Sequence, residues 1–302
     1  MKILKKFLNY GRMVKFSHSL FALPFAGLAA VLAFLESDLY LSDMLRLTVL
    51  IIICMVSARS AAMGFNRYID AEIDRKNPRT ANREIPAGLL SQGSVLFFIG
   101  LSSFVFLFAS FFINQLCFVL AFPTLIILFL YSLAKRFTLL CHFILGFAIS
   151  LAPIGAWVAI REEFALIPIL FSLGLLTHIA GFDILYAIQD ADFDSRDKLH
   201  SIPSKLGVKT SFILAIILHL FAIGFFYAAG WVAELGWIYQ ASLVLVGILL
   251  IAEHKIANDQ ARDILPPSFY WINSVISLVL FLGILLDRWA EFIGKLQSLA
   301  NI

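Results

Sequence analysis

Nine long apolar runs constrain this chain more than anything else in it. They fall near 17–35, 44–65, 94–113, 115–133, 139–160, 166–182, 210–230, 235–252 and 268–287, and most approach the roughly 20 residues that a helix needs to cross hydrocarbon. The composition agrees: 61% of the residues are hydrophobic and 14% charged, against about 25% charged in a soluble domain. The expected fold is an all-α polytopic membrane protein, with nine transmembrane helices around a central cavity, and the lipid bilayer as its first partner. The basic start MKILKKFLNYGRMVK reads as the flank of an uncleaved first span, since eight more spans follow it. Cys54, Cys117 and Cys141 fall within predicted spans, odd in number and without metal-ligand spacing, so they read as small apolar residues. Pro123, Pro153 and Pro168 are tolerated in membrane helices when neighbours satisfy the freed carbonyls.

Two polar runs interrupt this pattern. In NRYIDAEIDRKNPRTANREIPAG, Asn66 to Gly88, Asn66, Asp70 and Asp74 follow one another at four-residue intervals and share one helical face. Oxygen donors at that spacing suit a hard cation such as Mg²⁺, which shares its shell with waters and phosphate. Arg75, Lys76, Arg79 and Arg83 come directly afterwards, donors that match phosphate oxygens. A solvated loop with self-neutralising charges explains this run alone equally well. The second run, DILYAIQDADFD, changes the balance: Asp183, Asp190 and Asp194 again share a face, with Tyr186 between them. Ser201, Pro203, Lys205 and Gly207 follow it much as Ile85, Pro86 and Gly88 follow the first. The runs end the second and sixth spans, which implies one domain over 1–302 with two pseudo-repeated halves.

The net charge is +3, but where the positive residues sit matters more. With nine spans, the N-terminus and alternate loops hold Lys2, Lys5, Lys6, Arg12, Lys15, Arg67, Arg75, Lys76, Arg79, Arg83, Lys135, Arg136, Arg196, Lys198, Lys205, Lys209, Lys255 and Arg262, while the other side has Arg46, Arg161, Arg288 and Lys295. The positive-inside rule then places both acidic runs on the cytoplasmic face of the inner membrane, where they can share one ligand. Arg59, within the second span, lies on the face of the first run but deeper; it either pairs with one of the aspartates or holds a substrate carboxylate. Lys15, Ser17 and His18, with Phe16 among them, read as an interfacial anchor, and His178 as a satisfied core histidine. There is no sign of a nucleic-acid partner.

Five carboxylates facing one another cannot all stay ionised without cations. Two or so Mg²⁺ ions bridging a diphosphate resolve this, and such a site can ionise an allylic diphosphate. The resulting carbocation then meets an electron-rich aromatic in a pocket that excludes water. The same two segments resemble the signature loops of the UbiA family of intramembrane prenyltransferases. The first matches that family's N-D-x-x-D-x-x-x-D pattern at Asn66, Asp70 and Asp74, with Arg67 in place of the first Asp; this removes one potential ligand. The second matches D-x-x-Y-x-x-x-D-x-x-x-D at Asp183, Tyr186, Asp190 and Asp194. The resemblance implies Asn66, Asp70, Asp74, Asp190 and Asp194 as metal ligands and Asp183 and Asp190 as catalytic. It also implies diphosphate contacts from Arg79, Arg83, Lys135 and Lys198, and an acceptor held by Arg59 and Tyr186. The start VKFSHSLFALPF and the first loop are most similar to the bacterial 4-hydroxybenzoate polyprenyltransferase-like branch. That implies transfer of a polyprenyl group from polyprenyl diphosphate to an aromatic acid in ubiquinone or menaquinone biosynthesis, including a dihydroxynaphthoate acceptor of the futalosine type.

Two other classes compete. An ion-coupled transporter would use the same carboxylates but spread them at midplane depth, whereas here they gather at one mouth. A CDP-alcohol phosphotransferase would need a compact D-G-x-x-A-R motif, which is absent.

Overall fold

The computed structural model describes residues 2–14, 22–259 and 265–300, apart from the side chains of 2–7 and 300. Lys15, Phe16, Ser17, His18 and Arg262 lie outside the described residues. Every regular element among those described is helical: α1 Lys2–Met13, α2 Leu23–Leu35, α3 Leu41–Ile69, α4 Ala71–Lys76, α5 Gln92–Ile113, α6 Gln115–Ala134, α7 Cys141–Arg161, α8 Leu166–Ala187, α9 Ala191–Arg196, α10 Ile202–Val232, α11 Trp237–Asp259, α12 Pro267–Asp287 and α13 Trp289–Ala300. A single 3-10 turn, Ile188–Asp190, links α8 to α9.

Eight of these segments are long and apolar enough to cross a membrane, so the chain is a multi-span helical membrane protein. The expected first span, 17–35, corresponds to α2, which covers 13 residues; its earlier part lies among residues not described. Pro123 and Pro153 sit inside continuous helices. The three cysteines are free thiols.

The spanning helices are apolar around most of their circumference, and their exposed faces are where lipid would lie. On α5, Phe104, Phe108 and Phe112 form an exposed row at four-residue spacing, with Phe108 edge-on to Phe112 at 4.8 Å, whereas Ser102, Phe106, Ala109 and Ser110 are buried on the other side.

Contacts divide the chain into two compact units, Met1–Leu20 with Leu50–Leu133, and Phe21–Val49 with Ala134–Ile302. In the first, α1 docks through Met13 and Val14 into a cluster with Ala71, Ile85, Leu90, Val95 and Ile99. The Tyr10 hydroxyl donates to the Ser94 carbonyl at 3.1 Å, and its ring stacks on Phe98. The loop after the first acidic run is thus anchored by its apolar residues.

In the second unit α8 packs between α7 and α10. A Cβ on Gly146 of α7 would lie 2.5 Å from the Leu176 carbonyl oxygen of α8, so only glycine lets these backbones approach so closely. Residues 162–165 join α7 to α8, which sets Arg161 at one end of the pair and Cys141 and Ala187 at the other. Around Arg161, charges close helix ends. Arg161 donates to the Glu36 carbonyl. Arg288 donates to the carbonyls of Ala233 and Glu234 at 2.7 and 2.9 Å, and Asp287 accepts from the Gly236 N–H at 2.7 Å. Lys295 donates to the carbonyls of Leu35 and Ser37. These groups satisfy backbone atoms that helix termini leave unpaired.

Midway along the unit lies a buried polar cluster. His219 reaches the His178 carbonyl oxygen at 3.2 Å and His254 at 2.9 Å, and Asn273 donates to Glu253 at 3.2 Å. His178 is therefore a core histidine, although its Nδ1 has no partner among the described residues.

Candidate active site

The two acidic runs adopt the same local backbone. In the first, α3 ends at Ile69, Asp70 sits at φ −91°, ψ 3°, and the six-residue helix α4 follows. In the second, the 3-10 turn ends at Asp190, with φ −101°, ψ 0°, and the six-residue helix α9 follows. Both hinge aspartates occupy the sparsely populated bridge region. The fourth residue of each short helix is a buried aspartate, Asp74 and Asp194. Helical hydrogen bonding runs through the first break, from the Asp70 N–H to the Asn66 carbonyl at 3.0 Å and from the Asp74 N–H to the Asp70 carbonyl at 2.7 Å. The spacing argument for one face therefore holds across the hinge.

The first run is tightly bonded. A single Arg83 nitrogen, Nη1, donates to both oxygens of Asp74, at 2.7 and 2.8 Å, a short charge-assisted contact. The Asn66 amide donates to Asp70 at 3.0 Å and accepts from Arg67 at 3.2 Å. Arg67, the departure from the resembled pattern, is buried and tied to the very side chain that begins the motif. The Arg79 backbone N–H is held by Asn77. Deeper in the same unit, Arg59 Nε is buried and has no hydrogen-bond partner among the described residues. Arg59 forms no ion pair with an aspartate there, so of its two readings the pairing is not what the structure displays. The Tyr131 phenol sits among Arg59, Arg67 and Asp70 and reaches the Ala62 carbonyl at 3.5 Å.

The second run is held more loosely. Lys135 approaches Asp194 at 3.5 Å. Burial disfavours its charge, but Asp194, Asp183 and Asp190 outweigh that and raise the ammonium above the ordinary lysine value of 10.5. The Lys135 carbonyl accepts from the His200 N–H at 2.7 Å, which ties the turn before α7 to the loop after α9. Lys198 is exposed in that loop, with a left-handed φ of 57°. Asp183 is bonded to His142 at 2.6 Å. The Tyr186 ring lies in an aromatic row, stacked on Phe182 at 6.4 Å and edge-on to Tyr270 at 5.6 Å. His142 is the residue that spacing could not reveal: it opens the predicted span 139–160 as a lone histidine, far in sequence from its partner.

Within each unit, the described residues gather no group of three or more His, Cys, Asp or Glu side chains that could hold a metal ion alone. The donor set is nevertheless carboxylate and amide oxygen, the chemistry Mg²⁺ prefers when waters and phosphate complete its shell. Asp74 and Asp194 each already face a cation.

Comparisons with known proteins identify the relatives of this chain. Residues 22–284 match the model of the UbiA prenyltransferase family. The chain belongs to that family. It is 28% identical over 249 residues to the 4-hydroxybenzoate octaprenyltransferase of Yersinia pseudotuberculosis, covering 81% of this chain and 84% of that protein. The corresponding Salmonella paratyphi B enzyme is 28% identical over 232 residues, covering 76% and 79%. Among solved structures, a UbiA homologue from Aeropyrum pernix K1 superposes with a TM-score of 0.80 at 29% identity, covering 90% of this chain and 98% of that one. A UbiA homologue from Archaeoglobus fulgidus, solved with DMAPP and Mg²⁺, shares the fold with a TM-score of 0.67 at 18% identity, covering 96% and 99%. This member of the UbiA family is a prenyltransferase enzyme.

Proposed function

We propose that this chain transfers a polyprenyl group from polyprenyl diphosphate to the ring of a 4-hydroxybenzoate-like aromatic acid. The observation that carries the reading is the repeated hinge: two aspartates in matching backbone conformations, each followed by a buried aspartate four residues on. That repetition also supports one domain built from two similar halves, whose acidic segments act on one diphosphate at the cytoplasmic face of the inner membrane. Asp70, Asp74, Asp190 and Asp194, with Asn66, would hold Mg²⁺, which when bound neutralises the charge gathering on the departing diphosphate.

The chain's own residues do the rest. Arg79, Arg83, Lys135 and Lys198 supply donors to diphosphate oxygens; Arg83 and Lys135 already face Asp74 and Asp194, so acid and base are positioned together. Asp183 and Asp190 place negative charge beside the allylic carbon as it becomes cationic. Arg59, with a buried and unpartnered Nε, binds the acceptor carboxylate, and Tyr186 borders the ring from an aromatic row. The apolar walls exclude water from the cation. The ring attacks the allylic carbon, and loss of the ring proton restores aromaticity.

The test is product mass spectrometry of purified protein given polyprenyl diphosphate, Mg²⁺ and either 4-hydroxybenzoate or a dihydroxynaphthoate. A prenylated acid is expected, and the acid that reacts names the branch. No product with any aromatic acid overturns the assignment.

A further inference from the structure

We propose that His142 is a positioning residue that holds Asp183 in a fixed orientation as a neutral donor, through its Nδ1–H, without cancelling the aspartate's charge. This inference rests on the function proposed for Asp183.

The geometry decides the state of the imidazole. His142 is completely buried at the start of α7, and both ring nitrogens are engaged. Nε2 lies 3.2 Å from the backbone nitrogen of Ile202, the first residue of α10. A backbone N–H can only donate, so Nε2 must be the bare, accepting nitrogen. In a neutral ring the proton then sits on Nδ1, which donates to Asp183 at 2.6 Å. An imidazolium would set one N–H against another at Ile202.

The start of α10 holds the ring in this state. The first turn of a helix presents backbone donors with no partner inside the helix. Here Ser201 accepts from the Ser204 N–H at 3.3 Å, Ser204 accepts from the Ser201 N–H at 3.1 Å, Pro203 has no N–H, and His142 accepts from Ile202. The imidazole is therefore one member of a complete set of caps. Rotating it would leave a buried donor unpaired.

The consequence for Asp183 differs from what befalls its neighbours. Asp74 faces a guanidinium and Asp194 an ammonium, so both have counter-charges. Asp183 has a neutral donor on one oxygen and makes no ion pair of its own among the described residues, with the Lys135 ammonium acting on it only from beyond contact distance; its side chain keeps 17% exposure. One oxygen is fixed and the other remains available, so the carboxylate points in one direction with its charge intact.

Two readouts test this. The first is nitrogen NMR of histidine-labelled protein in lipid nanodiscs, with the His142 signals identified by their loss in His142→Asn. The expected pattern is a neutral ring protonated on Nδ1 that shifts in Asp183→Asn. A ring protonated on Nε2, or on both nitrogens, overturns the proposal whether or not the protein turns over the substrates offered.

The second compares His142→Ala with His142→Asn in the prenyl-transfer assay. Both variants lose the acceptor for Ile202, but the Asn amide keeps a donor near the place of Nδ1, so their difference reads the Asp183 bond. His142→Ala is expected to lower kcat by about 10- to 100-fold, the worth of a hydrogen bond to a charged group, with KM for the diphosphate within about twofold. His142→Asn should recover most of that loss, and adding His142→Ala to Asp183→Asn should cost nothing more. Equal activity in the Ala and Asn variants, or losses that multiply in the double variant, overturns the proposal; wild-type protein inactive on every aromatic acid instead refutes the function proposed above.

Discussion

The two acidic segments share a backbone but not a way of holding it. In the first, one Arg83 nitrogen bridges both Asp74 oxygens at 2.7 and 2.8 Å, and Arg67, Asn66 and Asp70 form a chain of hydrogen bonds. In the second, Asp194 has a single lysine contact at 3.5 Å from outside its own segment, and Asp183 has a neutral histidine. The hinge and its buried aspartate recur in both segments, while the counter-charges differ in kind and distance. The arginine meets both carboxylate oxygens at short range; the lysine supplies charge at longer range and leaves the direction open.

The sharpest way to break this comparison is to remove the shared element from both copies. Asp70→Ala and Asp190→Ala should each reduce turnover to below about 1% of wild type, as loss of groups acting on developing charge does, while helical content by circular dichroism is unchanged. Substantial activity in one and not the other would show that the copies are not equivalent. Arg59→Ala comes next: KM for the aromatic acid should rise by about 10- to 100-fold and KM for the diphosphate by far less, since only a hydrogen-bonded charge pair to the acceptor is lost. Equal losses for both substrates would remove Arg59 from acceptor binding.

The short contact can be separated from the long one. Arg83→Lys should cost about tenfold or more in turnover because the nitrogen that bridges both Asp74 oxygens is lost, whereas Lys135→Arg should stay within about threefold because the charge is kept and the contact is already long; comparable losses would erase the contrast. The pH dependence follows from the raised Lys135 value. A cation favoured by folding gives its full stabilisation below the ordinary lysine value of 10.5 and loses it as pH rises through the higher folded value. Thermal stability should therefore show no Lys135-dependent fall from neutral pH up to 10.5, measured against Lys135→Met. The smallest effect is expected at two glycines with positive φ, Gly88 at 72° in the loop after α4 and Gly207 at 81° at a kink inside α10. Both face open space, so alanine at either is disfavoured only by backbone strain, about 1–3 kcal/mol, read as a drop in melting temperature.

Much of this was legible in the sequence. Runs of apolar residues gave the helical membrane fold because lipid permits few alternatives, and the paired aspartates pointed to the hinges because spacing along a helix survives a single bridge-region residue. Lys135 was named through the family resemblance, in the polar loop between the fourth and fifth spans. His142 was not, since its role depends on Asp183 and on the first turn of α10, neither of which is near it in sequence. Nor could the pattern say that Arg83 would clamp Asp74, because the turns between Asn77 and Leu90 fold back in a way that periodicity does not encode. The first span also came out shorter among the described residues than its apolar run suggested.

One further consequence follows from the closed helix ends around Arg161, Asp287, Arg288 and Lys295. These four charges are committed to backbone carbonyls or amides, so that side of the second unit behaves as a clasp. Slow amide exchange should concentrate there. Adaptation to substrates of different size would then fall to the opposite end of the same helices, where the lysine contact is long and one carboxylate oxygen stays uncommitted.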